Sequence, residues 1–454
     1  GESNWLRCSS NFSGAMVKRK RAFGAKNGGH KPPQGTKAAA AADADVDSDD
    51  ELLSEQAPPS GDDDEFFETP DEKRVRLAKE YLGKLGDTKP PEEVQEQLVH
   101  DAEEHARRAR VQVEDLVLGE PRFLKGHKMP VTCICLDNDE QVMYSGGKDC
   151  AVLRWDVESG KRSVLHAGGR NRFECGGHFH QVLSVCLVEQ RQLLVSGGVD
   201  RLVRLWDPRL PAKSSCIEAM HGHSGPVTGI VAEPDSTQLY TTSMDKSMKL
   251  WDLRTRRCTS TLFGHVSGVT SLDIYNKGRP LTAGVDKSVR LWKVDKDTHL
   301  MFSKHTYAVD AVTVMDHDRF VSGSQNGCLH LWSNASKKPI ATAALPEKSG
   351  WVTALGGIRR GNVFFSASVD GMLRPWRFTR AGEASDKSLK ASDKSLKLVP
   401  AMEPIKAPGC VNAIAVGRRV LACAVGKETK FGRWFYEKSW KNGVLLVPLS
   451  YREA

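Results

Sequence analysis

Seven stretches cut to one template recur along this chain, and a fixed period of that kind restricts a chain to stacked or circular repeats of one structural unit. Aligned on tryptophan they read "GGKDCAVLRWD" to Trp155, "GGVDRLVRLWD" to Trp206, "TSMDKSMKLWD" to Trp251 and "AGVDKSVRLWK" to Trp292. Weaker copies follow: "GSQNGCLHLWS" to Trp332, "ASVDGMLRPWR" to Trp376, and "CAVGKETKFGRWFY" around Trp434. Six residues before each tryptophan stands Asp149, Asp200, Asp245, Asp286, Asn326, Asp370 or Glu428. A Gly-His pair carrying His127, His178, His223 or His265 precedes the tryptophan by 27 or 28 residues in four copies, and His305 holds that place in the fifth.

The tryptophans are 40 to 58 residues apart, room for four short strands each. That spacing, with Gly-His at one end and Trp-Asp at the other, describes a four-stranded propeller blade. "VTCICLD", "QVMYSGG", "AVLRWDV" and "KRSVLH" supply the strands of the first. The Asp falls in a tight turn between the second and third strands, where it can fix the histidine of the preceding loop while the tryptophan packs between blades. The predicted fold is all-β, a seven-bladed propeller over about 120–450, with Trp434 as the seventh blade's tryptophan. The Asp, His and Trp of each repeat are structural, and so are Arg204, Lys249, Arg290 and Arg374, two places before the tryptophan. A ring must be closed, because an open edge strand invites pairing with other chains. Either "PRFLKGH" or "GVLLVPL" could supply the closing strand.

The rest of the chain differs in character. Residues 1–70 lack apolar periodicity and read as a disordered leader. It contains the basic cluster Lys18, Arg19, Lys20 and Arg21, a candidate nuclear import signal. Fourteen acids and no Lys or Arg lie between Asp43 and Glu72, so the remainder carries 65 basic against 43 acidic residues. A body with a net charge of +22 calls for an anionic partner, of which nucleic acid is the commonest. Residues 71–119 read as a helical extension: Val75, Leu77, Leu82 and Leu85 form an apolar stripe, and a charged helix follows from about Glu92 to Val113. The duplicated "ASDKSLK" at 384–397 reads as a flexible loop whose leucines are too sparse for a core.

Eleven cysteines include no CxxC pair, and Cys133 and Cys135 share one face of a strand. Buried reduced thiols are expected, with no metal and no cofactor. No apolar run approaches the roughly 20 residues of a membrane helix, and no signal-peptide core is present, so a soluble intracellular protein is expected. Phosphate-loop, HExxH and nucleophile motifs are missing, which argues against an enzyme.

Two end motifs are more specific than the repeats. "DEKRVRLAKEYLGKL" and "VGKETKFGRWFYEKSWKNGVLLVPL" resemble the U3 small nucleolar RNA-associated WD-repeat proteins, and the resemblance covers about Asp71 to Leu449. It implies a non-catalytic component of the U3 small nucleolar ribonucleoprotein (snoRNP), acting in pre-rRNA processing in the nucleolus. It further implies recognition of the box B/C region of U3 RNA together with a kink-turn-binding protein, and other small-subunit processome proteins as partners.

Candidate RNA or partner contacts come from residues outside the repeat template. Arg170 and Arg172, beside Phe173, occupy an inserted loop and suit phosphate neutralisation with stacking. Arg433 belongs to the Gly-Arg-Trp ending and Lys430 precedes it, and Lys148 stands where the next copies hold Val, Met and Val. Lys73, Arg74, Arg76 and Lys79 lie on the first helix. The competing reading is a protein-only scaffold, such as a ubiquitin-ligase substrate receptor or a chromatin adaptor.

Overall fold

The computed structural model describes residues 113–166, 176–211, 214–234, 236–346, 350–380, 396–432 and 436–453. The expected leader and its import cluster, both helices up to residue 112, and most of the duplicated loop lie outside them. The described residues form seven antiparallel sheets of four or five strands. The first blade comprises Val131–Leu136, Val142–Gly147, Val152–Asp156 and Arg162–His166, the four strands expected from sequence. Blades two to six repeat the plan, with inner strands Val182–Val188, Val227–Ala232, Val269–Ile274, Val309–Val314 and Val352–Gly357. The inner strand of the seventh is Cys410–Val416.

One residue near the head of each inner strand organises the hub. Val131, Val182, Val227, Val269, Val309, Val352 and Val411 are all fully buried. Each contributes about 1.5–3 kcal/mol of apolar burial. Room for them comes from small residues on the neighbouring second strand. A Cβ placed on Gly146 would lie 2.7 Å from Val182 Cγ1, so the first blade needs a glycine there. The residue after the valine links blade to blade: Thr132 donates to the Val182 carbonyl, Thr228 to Val269 (2.7 Å), Thr270 to Val309 (2.5 Å), and Thr353 to Val411 (2.6 Å). Asn412 Nδ2 donates to the Val131 carbonyl at 2.8 Å and so joins the last blade to the first.

Both candidate segments take part in closing the ring. Gly443–Glu453 is the third strand of the seventh sheet, and the N-terminal strands Val113–Leu118 and Arg122–Leu124 pair along its other side. Residues 113–118, expected at the end of a helical extension, are therefore strand. Val113 and Leu116 are drawn into the core of the last two blades, an apolar surface that an isolated charged helix would lack. Trp434 is not the seventh blade's tryptophan. In the register Leu421 faces Val447 as Met143 faces Trp155, so Val447 takes the tryptophan's place and residues 427–442 are an insertion ahead of the strand. Leu396, expected in a coreless loop, begins the strand Leu396–Pro400 and packs into the core beside Trp376.

Each intact repeat ends in a hydrogen-bonded relay. In the first blade Trp155 Nε1 donates to Ser145 Oγ at 2.7 Å, His127 Nε2 lies 2.8 Å from the same oxygen, and His127 Nδ1 lies 3.0 Å from Asp149. The same chain runs through Trp206–Ser196–His178–Asp200, Trp251–Thr241–His223–Asp245 and Trp292–Thr282–His265–Asp286. A carboxylate only accepts, so Nδ1 carries the proton, and the hydroxyl accepts from tryptophan while donating to Nε2. Burial pushes the Asp286 carboxyl up, but its bonds to His265, Ser288 and the Val266 amide outweigh this and hold it at about 2. The fifth blade is incomplete. His305 bonds Ser322, its Nδ1 has no partner, and burial beside His330 pulls its pKa down to about 3. Asn326 instead turns its amide to Ser324, Thr306 and the Cys328 amide.

Two outcomes follow from the relay. Asn326→Asp should give His305 its missing acceptor and raise stability by about 1 kcal/mol; an unchanged melting temperature in calorimetry would reject the relay as the stabilising element. Asp286 titrates below its unfolded value of 3.8, so its contribution is complete above that pH and drains as pH falls towards 2. The melting temperature of Asp286→Asn should therefore lie below that of the unaltered chain at pH 7, and the gap should narrow between pH 4 and pH 2.

Candidate nucleic-acid interface

The relay aspartates and histidines mark one end of the ring, where turns between second and third strands meet the segments connecting successive blades. Most of the sequence-derived contacts cannot be placed: Arg170, Arg172, Arg433, Lys73, Arg74, Arg76 and Lys79 lie outside the described residues. Lys148 and Lys430 lie among them, Lys148 buried and Lys430 half-buried.

Lys148 Nζ meets Glu428 Oε2 at 3.1 Å, with the two side chains 4% and 6% exposed. Lys148 belongs to the first blade and Glu428 to the seventh, so the pair spans the seam where the ring closes. This corrects the expectation for Lys148: its ammonium is committed to a buried carboxylate, and drawing it out towards a phosphate would strand that charge. Glu428 lies in the insertion of the seventh copy, so its carboxylate serves the seam and not a histidine relay. Glu140 reinforces the same seam, accepting from the backbone amides of Arg418, Arg419 and Val420.

Lys430 turns inward. Thr429 bridges to Gly432, and this tight turn carries the lysine over a central cavity of about 380 Å³ lined by the inner strands. Its Nζ donates to the Thr228 carbonyl on the third blade at 3.1 Å and sits 5.3 Å from the Phe431 ring centroid. Desolvation lowers its pKa, while Cys133 and Asp310 act in the opposite direction. Its ammonium is thus turned towards the hub. Asp310, like Leu183 in the second blade, stands where most other inner strands carry a hub hydroxyl. Burial pushes its carboxyl up to about 6, against donors from Gln325 (2.9 Å) and Trp351 Nε1 (2.5 Å) on Oδ2.

The residues two before each tryptophan are structural, as expected. Arg204, Arg290 and Arg374 lie beside Asp200, Asp286 and Asp370, and Lys249 donates to Thr261. Sequence reasoning overlooked the relay hydroxyl, although a Ser or Thr stands ten residues before each of the first six tryptophans. It also overlooked the residue after each turn aspartate. Arg201, Lys246 and Lys287 occupy that place in blades two to four, with positive φ of 67°, 71° and 65°, at exposed tips. The described cysteines are free, and burial pushes the Cys133 thiol up to about 11. No metal-binding cluster occurs among the described residues.

The seam pair yields a stability test. Glu428→Ala, which strands the Lys148 ammonium, should cost about 3 kcal/mol, whereas Lys148→Met with Glu428→Leu should recover most of the loss. Equal melting temperatures for the single variant and the unaltered chain would show that the pair does not hold the seam.

The family of the WD domain, G-beta repeat, matches residues 120–156, 169–207, 214–252 and 256–293, the four copies with a complete relay. A U3 snoRNP-associated protein-like protein of Arabidopsis thaliana is 28% identical, over 89% of this chain and 91% of its own. U3 small nucleolar RNA-interacting protein 2 of Homo sapiens is 28% identical, over 84% of this chain and 82% of its own. A crystal structure of the RRP9 WD40 repeats superposes with a TM-score of 0.65 at 27% identity, covering 74% of this chain and 100% of that one. The seven-bladed chain is thus similar, along most of its length, to the U3 snoRNP-associated WD-repeat proteins.

Proposed function

We propose that this chain is a non-catalytic RNA-binding component of the U3 snoRNP, acting in pre-rRNA processing and biogenesis of the small ribosomal subunit within the nucleolar processome. The observation that carries this reading is likeness to U3 proteins over 89% of the chain, far beyond the four matched repeats. Two physical features agree with it. Outside one acidic run the chain is strongly basic, which suits a polyanionic partner. The Asp–His pairs that might suggest acid–base chemistry are each tied into a relay anchored by a buried tryptophan, as His178 and Asp200 are.

The finer reading is recognition of the box B/C region of U3 RNA together with a kink-turn-binding protein. In it Arg170, Arg172 and Arg433 neutralise phosphates, and the helix around Arg76 meets RNA or an assembly partner. Lys148 and Lys430 act one step removed, holding the seam and the turn before Arg433 in place.

Crosslinking in cells followed by recovery of bound RNA tests both levels. U3 RNA should be enriched with the unaltered chain and depleted when Arg170, Arg172 and Arg433 are all changed to Ala. Retention in the triple variant would move the contact surface to the helix near Arg76. Lack of U3 enrichment with the unaltered chain would overturn the reading in favour of a protein-binding scaffold.

A further inference from the structure

The second blade departs from the others at the arginine two places before its tryptophan. In the fourth blade Arg290 spends its donors within the blade: Nε lies 3.4 Å from Ser288 Oγ, and Nη1 lies 2.6 Å from His299 Nε2. In the sixth, Arg374 bonds Ser368 and Asp370. Arg204 holds this place in the second blade without those acceptors. Leu202 stands where Ser288 does, two residues after the turn aspartate, and Cys216 opposes Trp206 as His299 opposes Trp292. Nη1 of Arg204 reaches the Cys216 sulfur at 3.7 Å, a weak acceptor. Its Nε is buried and has no hydrogen-bond partner. Asp200 Oδ2 lies 4.0 Å from Nε, beyond bonding distance, and is committed to His178 Nδ1 at 2.8 Å. A guanidinium only 8% exposed thus keeps donors unspent, which costs the fold free energy.

Arg204 also forms part of the wall of a cavity of about 340 Å³, where the second blade passes into the third. That volume lies within the range of small-ligand pockets. Arg201 and His221, both exposed, stand on the same wall, and Phe179, Leu202 and Ala219 add apolar surface. The other histidine of the lining, His223, is tied to Asp245 and Thr241. Asp200 is the one acid in the lining, set against two guanidiniums. The wall therefore carries one positive charge in excess. A phosphodiester bears a single negative charge and matches it, whereas a phosphoserine carries nearly two.

We propose that this cavity holds one phosphodiester group of an RNA strand, with Arg204 and Arg201 donating to its oxygens, His221 beside them, and the attached ribose against the apolar wall. The assignment rests on the reading that the chain binds U3 RNA, and it names a contact separate from Arg170, Arg172 and Arg433. The planar fork of a guanidinium matches two phosphate oxygens at once, so the phosphate supplies the acceptors that Leu202 and Cys216 do not. Arg290 and Arg374 offer no equivalent site, because their donors are bonded inside their own blades. Such a contact fixes the position of the strand without reading its bases.

The test uses the purified full chain and follows arginine Nε–H resonances by NMR, the Arg204 signal being assigned by its loss in Arg204→Gln. The dinucleotide UpU, which carries one phosphodiester, should shift that signal. Inorganic phosphate and a phosphoserine peptide serve as comparisons, and anisotropy of a fluorescein-labelled oligouridine across a salt series gives affinities. Arg201→Gln should weaken oligouridine binding about tenfold. It should also reduce the slope of log affinity against log salt by about 0.7. Arg201 is exposed, so the melting temperature should match that of the unaltered chain. Leu202→Ser offers Nε the hydroxyl that Ser288 offers Arg290, and should weaken binding roughly threefold. Oligouridine that binds without moving the Arg204 signal would overturn the site while leaving the U3 reading intact. Failure of the unaltered chain to bind any RNA would overturn both. A shift with inorganic phosphate or the phosphoserine peptide, but not with UpU, would assign the cavity to that ligand and overturn the proposal.

Discussion

A single hydroxyl governs the shape of each intact blade. Ser145, Ser196, Thr241 and Thr282 each accept from a buried tryptophan and donate to a histidine, which passes orientation on to an aspartate in the next turn. The hydroxyl has one proton, so the direction of the chain is fixed, and with it the imidazole tautomer and the turn geometry. The aspartate then collects backbone amides, as Asp245 does from Ser224 and Ser247. The residue after it is forced into the left-handed region, as Lys246 is at φ 71°. Core and surface are thus joined: the orientation of an exposed cation traces back through three side chains to a tryptophan between blades.

Where the relay fails, other interactions do the work. In the sixth blade Trp376 still bonds Ser366, but Asp370 turns to Arg374 at 2.6 Å, a bidentate partner in place of a histidine. In the seventh the hydroxyl and tryptophan positions hold Cys423 and Val447, and Glu428 reaches across the seam to Lys148. Apolar burial replaces the internal hydrogen bonds, and an ion pair between blades replaces one within a blade. The ring tolerates this because blades are held mainly by their neighbours, through the buried valines and the carbonyl bonds of the hub.

The fold was largely legible because its signals are periodic. The first blade's strands fall where the sequence puts them, and the aspartate–histidine pairing follows from spacing alone. The seventh blade was misread because the insertion reproduces the template's interval by coincidence, with Glu428 six residues ahead of Trp434. The run "GVLLVPLSY" is the strand, and its lack of a tryptophan concealed it. Lys148 was misjudged for a different reason. Its partner is 280 residues away in sequence, and nothing local distinguishes a buried lysine from a solvated one. The valines of the hub repeat faithfully, but valine is common enough that seven copies pass unnoticed until the strands are set side by side.

The pairing of Val113 with Glu453 also bears on how the ring is made. The strand that needs its partner first is synthesised hundreds of residues before that partner exists. At the usual pace of a ribosome the wait is on the order of half a minute. Throughout that interval Val113 and Leu116 have no sheet to join, and the growing array of blades carries an open edge at each end. Nearly every blade can assemble from local hairpins as it emerges, whereas the last needs both extremities of the ring together. A chain interrupted before Gly443 would hold six blades and the two inner strands of the seventh, with nothing to join them to Val113–Leu118, so completeness of translation is itself written into the topology.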